Sequence, residues 1–514
     1  MIFSVSKRPT ISEIHTLYKD QKATVWEVSK FFLNRSEEVD PELNAVDNYT
    51  QELAQKQAEK LDKVQEEYKQ KEGEGYFEKL LKDYPLFGIP YFTKAIILVE
   101  GVVANAGSKI LDGFVAPYSA TVSERLEKAG SVLLGVATMD EFATGSSGET
   151  SAYGPTKNPF DTTRTPGGSS SGPATVVASG QCVFSLGTDT GGSIRLPAAF
   201  TDTVGLKPTY GLVPRYGVIP MASSFDQVGP FSNCVGDNLL VTSILGGKDD
   251  YDQTSLDSFE LIAKLNQVIS KTHTSRKTKQ INSTLKPLKI GLPEEFFIDG
   301  IDPIIRAAVE NIKQKLESIG HKLVKVSLPL AKHALSVYYM TMPVELAANL
   351  ERFDGVRYAL QDQNPDSEMY YNQRQNFGKE VTRRILLGTY VSSAGYYDAY
   401  YNLAQKVRQL AKQDFDRVFE EVDLLLTPVT SEFPFKLGQK SSDPLSMYLT
   451  DAFTCGINPV RIPGISVPLG LFEVQTEEGK IKLPTGVQIL GPELSEDKIF
   501  ELALEVEKLV SEEK

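Results

Sequence analysis

Apolar positions set the first expectations. Ile11, Ile14 and Leu17 recur at helical spacing, and Thr24 followed by Glu27 is a capping box ahead of VWEVSKFFLNR, so residues 10–35 predict two helices. Residues 51–82 predict a long, charged, solvent-facing helix broken at Gly73 and Gly75. From about residue 86 to 235 the texture changes: LFGIPYF, SVLLGVA and VFSLGT read as short apolar strands between Gly, Ser and Pro turns, and TVSERLEKAG reads as a helix. This alternation predicts an α/β fold with a largely buried sheet. Residues 271–287 (KTHTSRKTKQINSTLKP) carry no period and predict a surface loop or insertion. Beyond them LKIGLPEEFF and HKLVKVSLP read as strands around the amphipathic helix PIIRAAVENIKQKLESIG. A long helix is expected over 395–421, then a buried strand, VDLLLTPVT, ending at Pro428. No repeat and no linker interrupts the chain, so residues 1–514 predict a single large domain, with a helical region at about 10–82 and a core at about 86–235.

Composition narrows the class. Of 514 residues, 41% are hydrophobic and 24% charged, which excludes global disorder. With 54 basic and 67 acidic residues the net charge is −13, so a broad nucleic-acid-binding face on this chain alone is not expected. Cys182, Cys234 and Cys455 lie far apart and form no CxxC pair, which argues against a zinc site or a disulfide framework. The N-terminus has no apolar signal core, and no apolar run approaches the ~20 residues of a membrane span. A soluble intracellular protein is expected, in the cytoplasm or, in a eukaryotic host, an organelle matrix. The four histidines, His15, His273, His321 and His333, all lie outside the glycine- and serine-rich middle, so a histidine-based triad has few candidates.

The candidate chemistry lies in RTPGGSSSGPATVVASGQCVFSLGTDTGGSIRLPAAF, residues 164–200. Two Gly-Gly-Ser clusters flank a small-residue helix and a strand. Glycine pairs bring backbone where side chains would clash, and successive N–H groups in such a turn can converge on an oxyanion. A serine in the same turn is then a candidate nucleophile. The block is neither GxSxG nor GxxxxGK[ST], so neither a hydrolase elbow nor a nucleotide phosphate loop is indicated.

PGGSSSG (166–172) and GTDTGGSIRLPAAF (187–200) resemble the amidase signature family, which carries GGSSGG followed by GxDxGGSIR. The resemblance implies a twisted mixed sheet covered by helices and amide hydrolysis by a Ser–Ser–Lys triad. Residue by residue, it implies Ser193 as nucleophile, Ser169 as the bridging serine and Lys94, in GIPYFTKAI, as the base. Further blocks at 137–161, 204–231, 349–358, 383–401 and 447–468 are similar to one branch of the family, the glutaminase subunits of tRNA-dependent amidotransferases. That branch implies glutamine as substrate. It implies two partners, a B subunit plus a small C subunit, with tRNA held mainly through the partner. It implies no cofactor in this chain, ATP and Mg2+ being used by the partner. It also implies Arg384 against the glutamine α-carboxylate, Asp451 against its α-ammonium and Tyr339 lining the pocket.

Serine is a weak nucleophile near neutral pH and needs a base, and lysine serves only where burial depresses its pKa. The apolar run PYFTKAIIL around Lys94 suits that requirement. Ser169 would pass a proton from Ser193 to Lys94, and Thr190, Gly191 and Gly192 would supply N–H donors to the oxyanion. Three departures stand out: Ala95 and Ile96 where the family reads Asp-Asn, Ser171 and Pro173 where it reads Gly and Ser, and NPVRIPGISVP where Asn-Leu-Ala-Gly precedes PGISVP. None of them removes Lys94, Ser169 or Ser193. Two alternatives stay open: a stand-alone amidase for another small amide, and a catalytically weakened scaffold subunit.

Overall fold

The computed structural model describes residues 8–276, 286–354, 369–477 and 479–512. One sheet of eleven strands organises these residues: β1 (Val46–Tyr49), β2 (Pro90–Lys94), β3 (Val132–Ala137), β4 (Phe184–Asp189), β5 (Val204–Lys207), β6 (Gln227–Ser232), β7 (Lys289–Pro293), β8 (Lys322–Val326), β9 (Leu424–Pro428), β10 (Gly464–Thr476) and β11 (Gly479–Leu490). Their order is β1-β3-β2-β4-β6-β5-β10-β11-β9-β7-β8. β2 runs parallel to both neighbours, β3 and β4, and β7 is parallel to β8 and β9. The remaining pairings are antiparallel, so the sheet is mixed, as expected.

Helices flank the sheet in chain order: α1 (Ile11–Lys19), α2 (Val25–Leu43), α3 (Gln51–Glu72), α4 (Tyr76–Asp83), α5 (Thr121–Lys128), α6 (Ser171–Ala178), α7 (Arg195–Phe200), α8 (Val235–Leu245), α9 (Phe259–Arg276), α10 (Pro303–Ser318), α11 (Ala334–Leu350), α12 (Met369–Arg374), α13 (Lys379–Ser392), α14 (Leu403–Phe419), α15 (Pro444–Leu449) and α16 (Glu496–Ser511). The capping box at Thr24 and Glu27 opens α2, and a second, Thr10 with Glu13, opens α1. The charged segment 51–82 divides into α3 and α4 at Gly73 and Gly75; α3 buries only Ala54, Ala58, Leu61 and Gln65.

Every residue of β2, β3 and β4 is buried, which is what parallel strands covered on both faces require. Tyr91 and Phe184 stack across the β2–β4 pair with centroids 5.2 Å apart. The carboxyl ends of adjacent parallel strands thus meet at Lys94 and Asp189, the usual place for a ligand site in such sheets.

Three expectations need correction. The segment 271–287 does not start as a loop: α9 continues through Arg276, carried on by the buried stripe Leu261, Leu265 and Val268. Residues 277–285 lie outside the described residues, as do residues 355–358 of the block 349–358. The helix expected over 395–421 starts as a π-turn, Tyr397–Asn402, before α14. The first strand of the core begins at Pro90, not Leu86.

Candidate active site

Lys94 ends β2 with its side chain wholly buried. Its Nζ donates to three hydroxyls: Ser169 Oγ at 2.9 Å, Ser170 Oγ at 2.8 Å and Thr188 Oγ1 at 2.9 Å. Burial pushes the ammonium down to about 7, against the pull of the Asp140, Asp189 and Asp226 carboxylates. A neutral amine is therefore accessible near physiological pH, and one partner of its lone pair is the Ser169 hydroxyl. Ser170 is excluded from that exchange, because its own proton goes to the Thr188 carbonyl at 3.0 Å.

The turn that carries Ser169 fits only because its glycines lack Cβ atoms. A Cβ on Gly168 would overlap the Asp140 carboxylate and stand 2.8 Å from the backbone nitrogens of Ser147 and Gly148. The Gly168–Ser169 peptide is cis. Asp140 binds the neighbouring loop, accepting from the Gly148 and Thr150 N–H groups at 2.9 Å. α6 follows the turn and its small side chains pack on β4 and β2.

The second glycine turn leaves the end of β4. Gly192 has φ +133°, and a Cβ there would overlap Thr454 Oγ1, which donates to the Gly191 carbonyl at 2.9 Å. Asp189 lies at the centre of the turn. It accepts from Arg195 Nε at 3.0 Å and Nη2 at 2.9 Å, from Asn458 Nδ2 at 3.0 Å, and from the N–H of Gly192 at 2.9 Å. Burial alone would raise this carboxyl, but Arg195 together with Lys207 and Asn458 outweighs it and holds Asp189 at about 2. Ser193 closes the turn, 8% exposed, and its carbonyl accepts from the N–H of Ser170 at 3.2 Å, so the two serine turns are tied to each other.

This geometry alters the expected set of oxyanion donors. The N–H of Gly192 is committed to Asp189 and is not free for a ligand. Among the described residues, no acceptor meets the N–H of Thr190, Gly191 or Ser193. Thr190 is fixed by its side chain instead, donating to Asp226 Oδ1 at 2.7 Å.

The three residues expected to read the substrate also converge. Arg384, on α13, is 3% exposed, and its Nε donates to Glu380 Oε1 at 2.8 Å. Its guanidinium lies 5.3 Å from the Tyr339 ring and 5.4 Å from the Tyr448 ring, and those rings stack at 4.0 Å. The Tyr339 hydroxyl is buried with no hydrogen-bond partner among the described residues. Asp451 is 7% exposed and accepts from Ser146 Oγ. Burial pushes Asp451 up to about 7, against the lowering influence of Ser146 and Arg384. Tyr338 joins this group to the second glycine turn, since its ring would meet a Cβ on Gly191 at 2.7 Å.

Several supporting residues carry no mark in the sequence: Ser170, Thr188, Asp140, Ser146, Thr454 and Asn458. All lie inside recognisable blocks, but nothing in their spacing points to a partner up to 305 positions away. Glu141 is another. Its buried carboxyl accepts from the N–H of Gly378, the cap residue of α13, at 2.7 Å and so anchors the helix that carries Arg384. Of the three departures, Ser171 is absorbed by packing: its hydroxyl lies 3.0 Å from Thr156 Oγ1, among buried residues. Among the described residues no group of three His, Cys, Asp or Glu is placed to hold a metal, and no helix is long and apolar enough to cross a membrane.

The family model for amidases matches residues 27–500. The A subunit of the glutamyl-tRNA(Gln) amidotransferase from Carboxydothermus hydrogenoformans is 45% identical over 496 residues, 96% of this chain and 95% of its own length. Its counterpart from Koribacter versatilis is 44% identical over 502 residues, 97% of this chain and 98% of its own. The crystal structure of the corresponding protein from Thermotoga maritima, again the A subunit of a glutamyl-tRNA(Gln) amidotransferase, superposes with a TM-score of 0.73 at 32% identity, covering 98% of this chain and 95% of that one.

Proposed function

The chain belongs to the amidase family, and we propose that it is the glutamine-hydrolysing subunit of a tRNA-dependent amidotransferase, with residues 1–514 acting as one amidase domain. The observation that carries the chemistry is the buried Lys94, held at about 7 with its Nζ 2.9 Å from Ser169 Oγ.

Ser193 Oγ attacks the side-chain amide carbon of glutamine. Its proton passes to Ser169 Oγ as the Ser169 proton passes to the neutral Lys94 amine. The tetrahedral oxygen is held by the N–H groups of Thr190, Gly191 and Ser193; Gly192 acts by keeping Asp189 in place. Collapse breaks the C–N bond, and the proton returns through Ser169 to the departing nitrogen as ammonia. The γ-glutamyl ester on Ser193 is then hydrolysed by water to glutamate. Arg384 pairs with the α-carboxylate through the guanidinium nitrogens not given to Glu380, and Asp451 takes the α-ammonium. Tyr339 offers its unpartnered hydroxyl to the same ligand. A neutral amide would leave Arg384 and Asp451 without their ligand charges, which favours glutamine over a general amide.

Ammonia passes to a B subunit, with a small C subunit completing the complex, and amidates Glu-tRNA(Gln), Asp-tRNA(Asn) or both. The partner holds the tRNA and uses ATP and Mg2+; this chain contributes no cofactor chemistry. The net charge of −13 agrees with the tRNA being gripped elsewhere. The complex acts in the cytoplasm or an organelle matrix.

The decisive experiment is Ser193→Ala. Glutamate release should fall to background while the melting temperature stays within a degree or two, and acid quench of the wild type should trap a glutamyl ester on Ser193. Turnover retained by the folded variant refutes the assignment of the nucleophile.

A further inference from the structure

Asp140 and Glu141 are neighbours in the chain and serve opposite halves of the site. The backbone N–H of Asp140 donates to the Ser169 carbonyl at 3.2 Å, and its carboxylate lies against Gly168, so this residue belongs to the serine turn. The Glu141 side chain, 1% exposed, reaches the substrate helix instead: Oε1 accepts from Ser108 Oγ and Oε2 from the N–H of Gly378. Gly378 caps α13 without a side chain of its own, and a Cβ there would stand 2.3 Å from Glu141 Oε2. A carboxyl oxygen at a helix N-terminus also meets the positive end of the helix dipole. The next two residues are held in the left-handed region, with φ +46° at Phe142 and +58° at Ala143, which side chains other than glycine keep only where their surroundings enforce it. The Phe142 ring is packed 5.1 Å from Phe353, beyond the end of α11, and 5.7 Å from Phe377, the residue before the cap.

α13 is pinned a second time farther along. At Gly388 it passes so close to α11 that a Cβ would stand 2.0 Å from the Pro343 carbonyl. Arg384 lies between the two pins, about 9 Å along the helix from the cap and about 6 Å from Gly388. If the cap is released and the helix tilts about Gly388, a shift of about 2 Å at Gly378 moves the Arg384 backbone by about 0.8 Å. A displacement of that order spoils the pairing of a guanidinium with a carboxylate, because two parallel N–H···O contacts tolerate little misplacement.

We propose, on the reading of the chain as a glutamine-hydrolysing subunit, that Glu141 is the positioning residue for recognition of the α-carboxylate: through Gly378 it fixes α13, and with it Arg384, at a set distance from the serine turn that Asp140 holds. Its carboxyl touches Ser108 and Gly378 and none of Lys94, Ser169 and Ser193, so its effect falls on binding and not on the chemical step. The contact does not need the charge. Burial pushes the Glu141 carboxyl up to about 7, yet in the protonated acid Oε2 still accepts from Gly378 while the hydroxyl donates to Ser108. A Gln side chain at this position offers the same pair of contacts.

Full-length Glu141→Ala, Glu141→Gln, Gly378→Ala and the double variant Glu141→Ala with Gly378→Ala test this role. Initial rates of glutamate release give KM and kcat, labelling of Ser193 by a serine-reactive acyl probe reports the triad, and melting temperature reports folding. Glu141→Ala should raise KM for glutamine at least roughly tenfold with kcat within about threefold, the mark of lost binding with intact chemistry. Labelling should proceed at the wild-type rate, and Glu141→Gln should restore KM. Gly378→Ala breaks the same contact from the helix side by pushing its Cβ against Oε2, so it should raise KM on its own and add little to Glu141→Ala. If Glu141→Ala does not fold, Gly378→Ala decides, with KM raised and labelling kept as the expected result. An unchanged KM in the folded variant overturns the proposal. So do parallel losses of kcat and labelling, failure of Gln to restore KM, or additive effects of the two substitutions, each of which leaves Glu141 a residue of the fold only. Failure of the underlying reading shows separately, as a wild-type chain that forms no glutamate and takes no label on Ser193.

Discussion

Replacing Lys94 by Met tests the central physical claim, that the fold holds this amine near neutrality. The ordinary value of 10.5 falls to about 7 by burial. Favouring the neutral form to that extent corresponds to about 5 kcal/mol of differential interaction. In the unfolded chain Lys94 keeps its proton up to 10.5, and in the folded chain only up to about 7. Between those values the unfolded chain carries one more proton, so folding stability rises with pH there. Below 7 the full cost of the buried cation is present. Integrated from pH 7 to pH 9, the gain is about 2 kcal/mol for the wild type and nothing for the Met variant. Lys207, also buried and also held at about 7, is common to both proteins and cancels in the difference. Met also leaves Ser169, Ser170 and Thr188 without their donor, at about 1 kcal/mol each, but that loss does not vary with pH. The trend is therefore the test, not the value at one pH. With an unfolding entropy of about 2.1 cal/mol/K per residue, 2 kcal/mol moves the melting temperature of this chain by about 2 °C. Calorimetric scans of both proteins at pH 7 and pH 9 should show the wild type gaining about that much on the variant at the higher pH. A difference that is flat across this range means that Lys94 keeps its solution proton affinity and cannot act as the base through Ser169.

Lys94→Arg should be as inactive in glutamate release as Lys94→Met, because guanidinium does not give up its proton at accessible pH; rescue by Arg would reject a neutral base. The pH profiles should separate two ionisations. Lys94 and Asp451 both lie at about 7, so kcat/KM for glutamine should fall with two protons below pH 7, while a small neutral amide, which does not need Asp451, should fall with one. Identical slopes would remove Asp451 from substrate binding. Arg384→Ala and Asp451→Ala should each lower kcat/KM for glutamine by roughly 2–5 kcal/mol of lost pairing, tenfold per 1.4 kcal/mol, leave the neutral amide nearly unaffected, and be bypassed by ammonium chloride in the full complex. Equal losses on both amides would assign these residues to the fold.

The candidate site residues Lys94, Ser169 and Ser193 were legible in the sequence, because the signals that mark them are local. Glycine pairs, the serines within them and the apolar run around Lys94 each make sense within ten residues, and the strands β2, β3 and β4 announce themselves as continuous apolar segments. Local signals also placed the helix starts, since a capping box is closed within four residues. Where the expectation failed, the deciding contact was remote or cumulative. α9 continues into a polar stretch because its buried stripe has already been fixed against the core. The Gly192 N–H is taken by Asp189, whose position depends on Arg195 and on Asn458, 269 residues away. Burial of Lys94 from both sides, the depressed proton affinity that follows, the N–H groups of Thr190, Gly191 and Ser193 that meet no acceptor among the described residues, and the meeting of Arg384, Tyr339 and Asp451 all arise from strand order and helix packing. Desolvation and electrostatics depend on everything within several ångströms, whatever its place in the chain, so only the tertiary structure decides them.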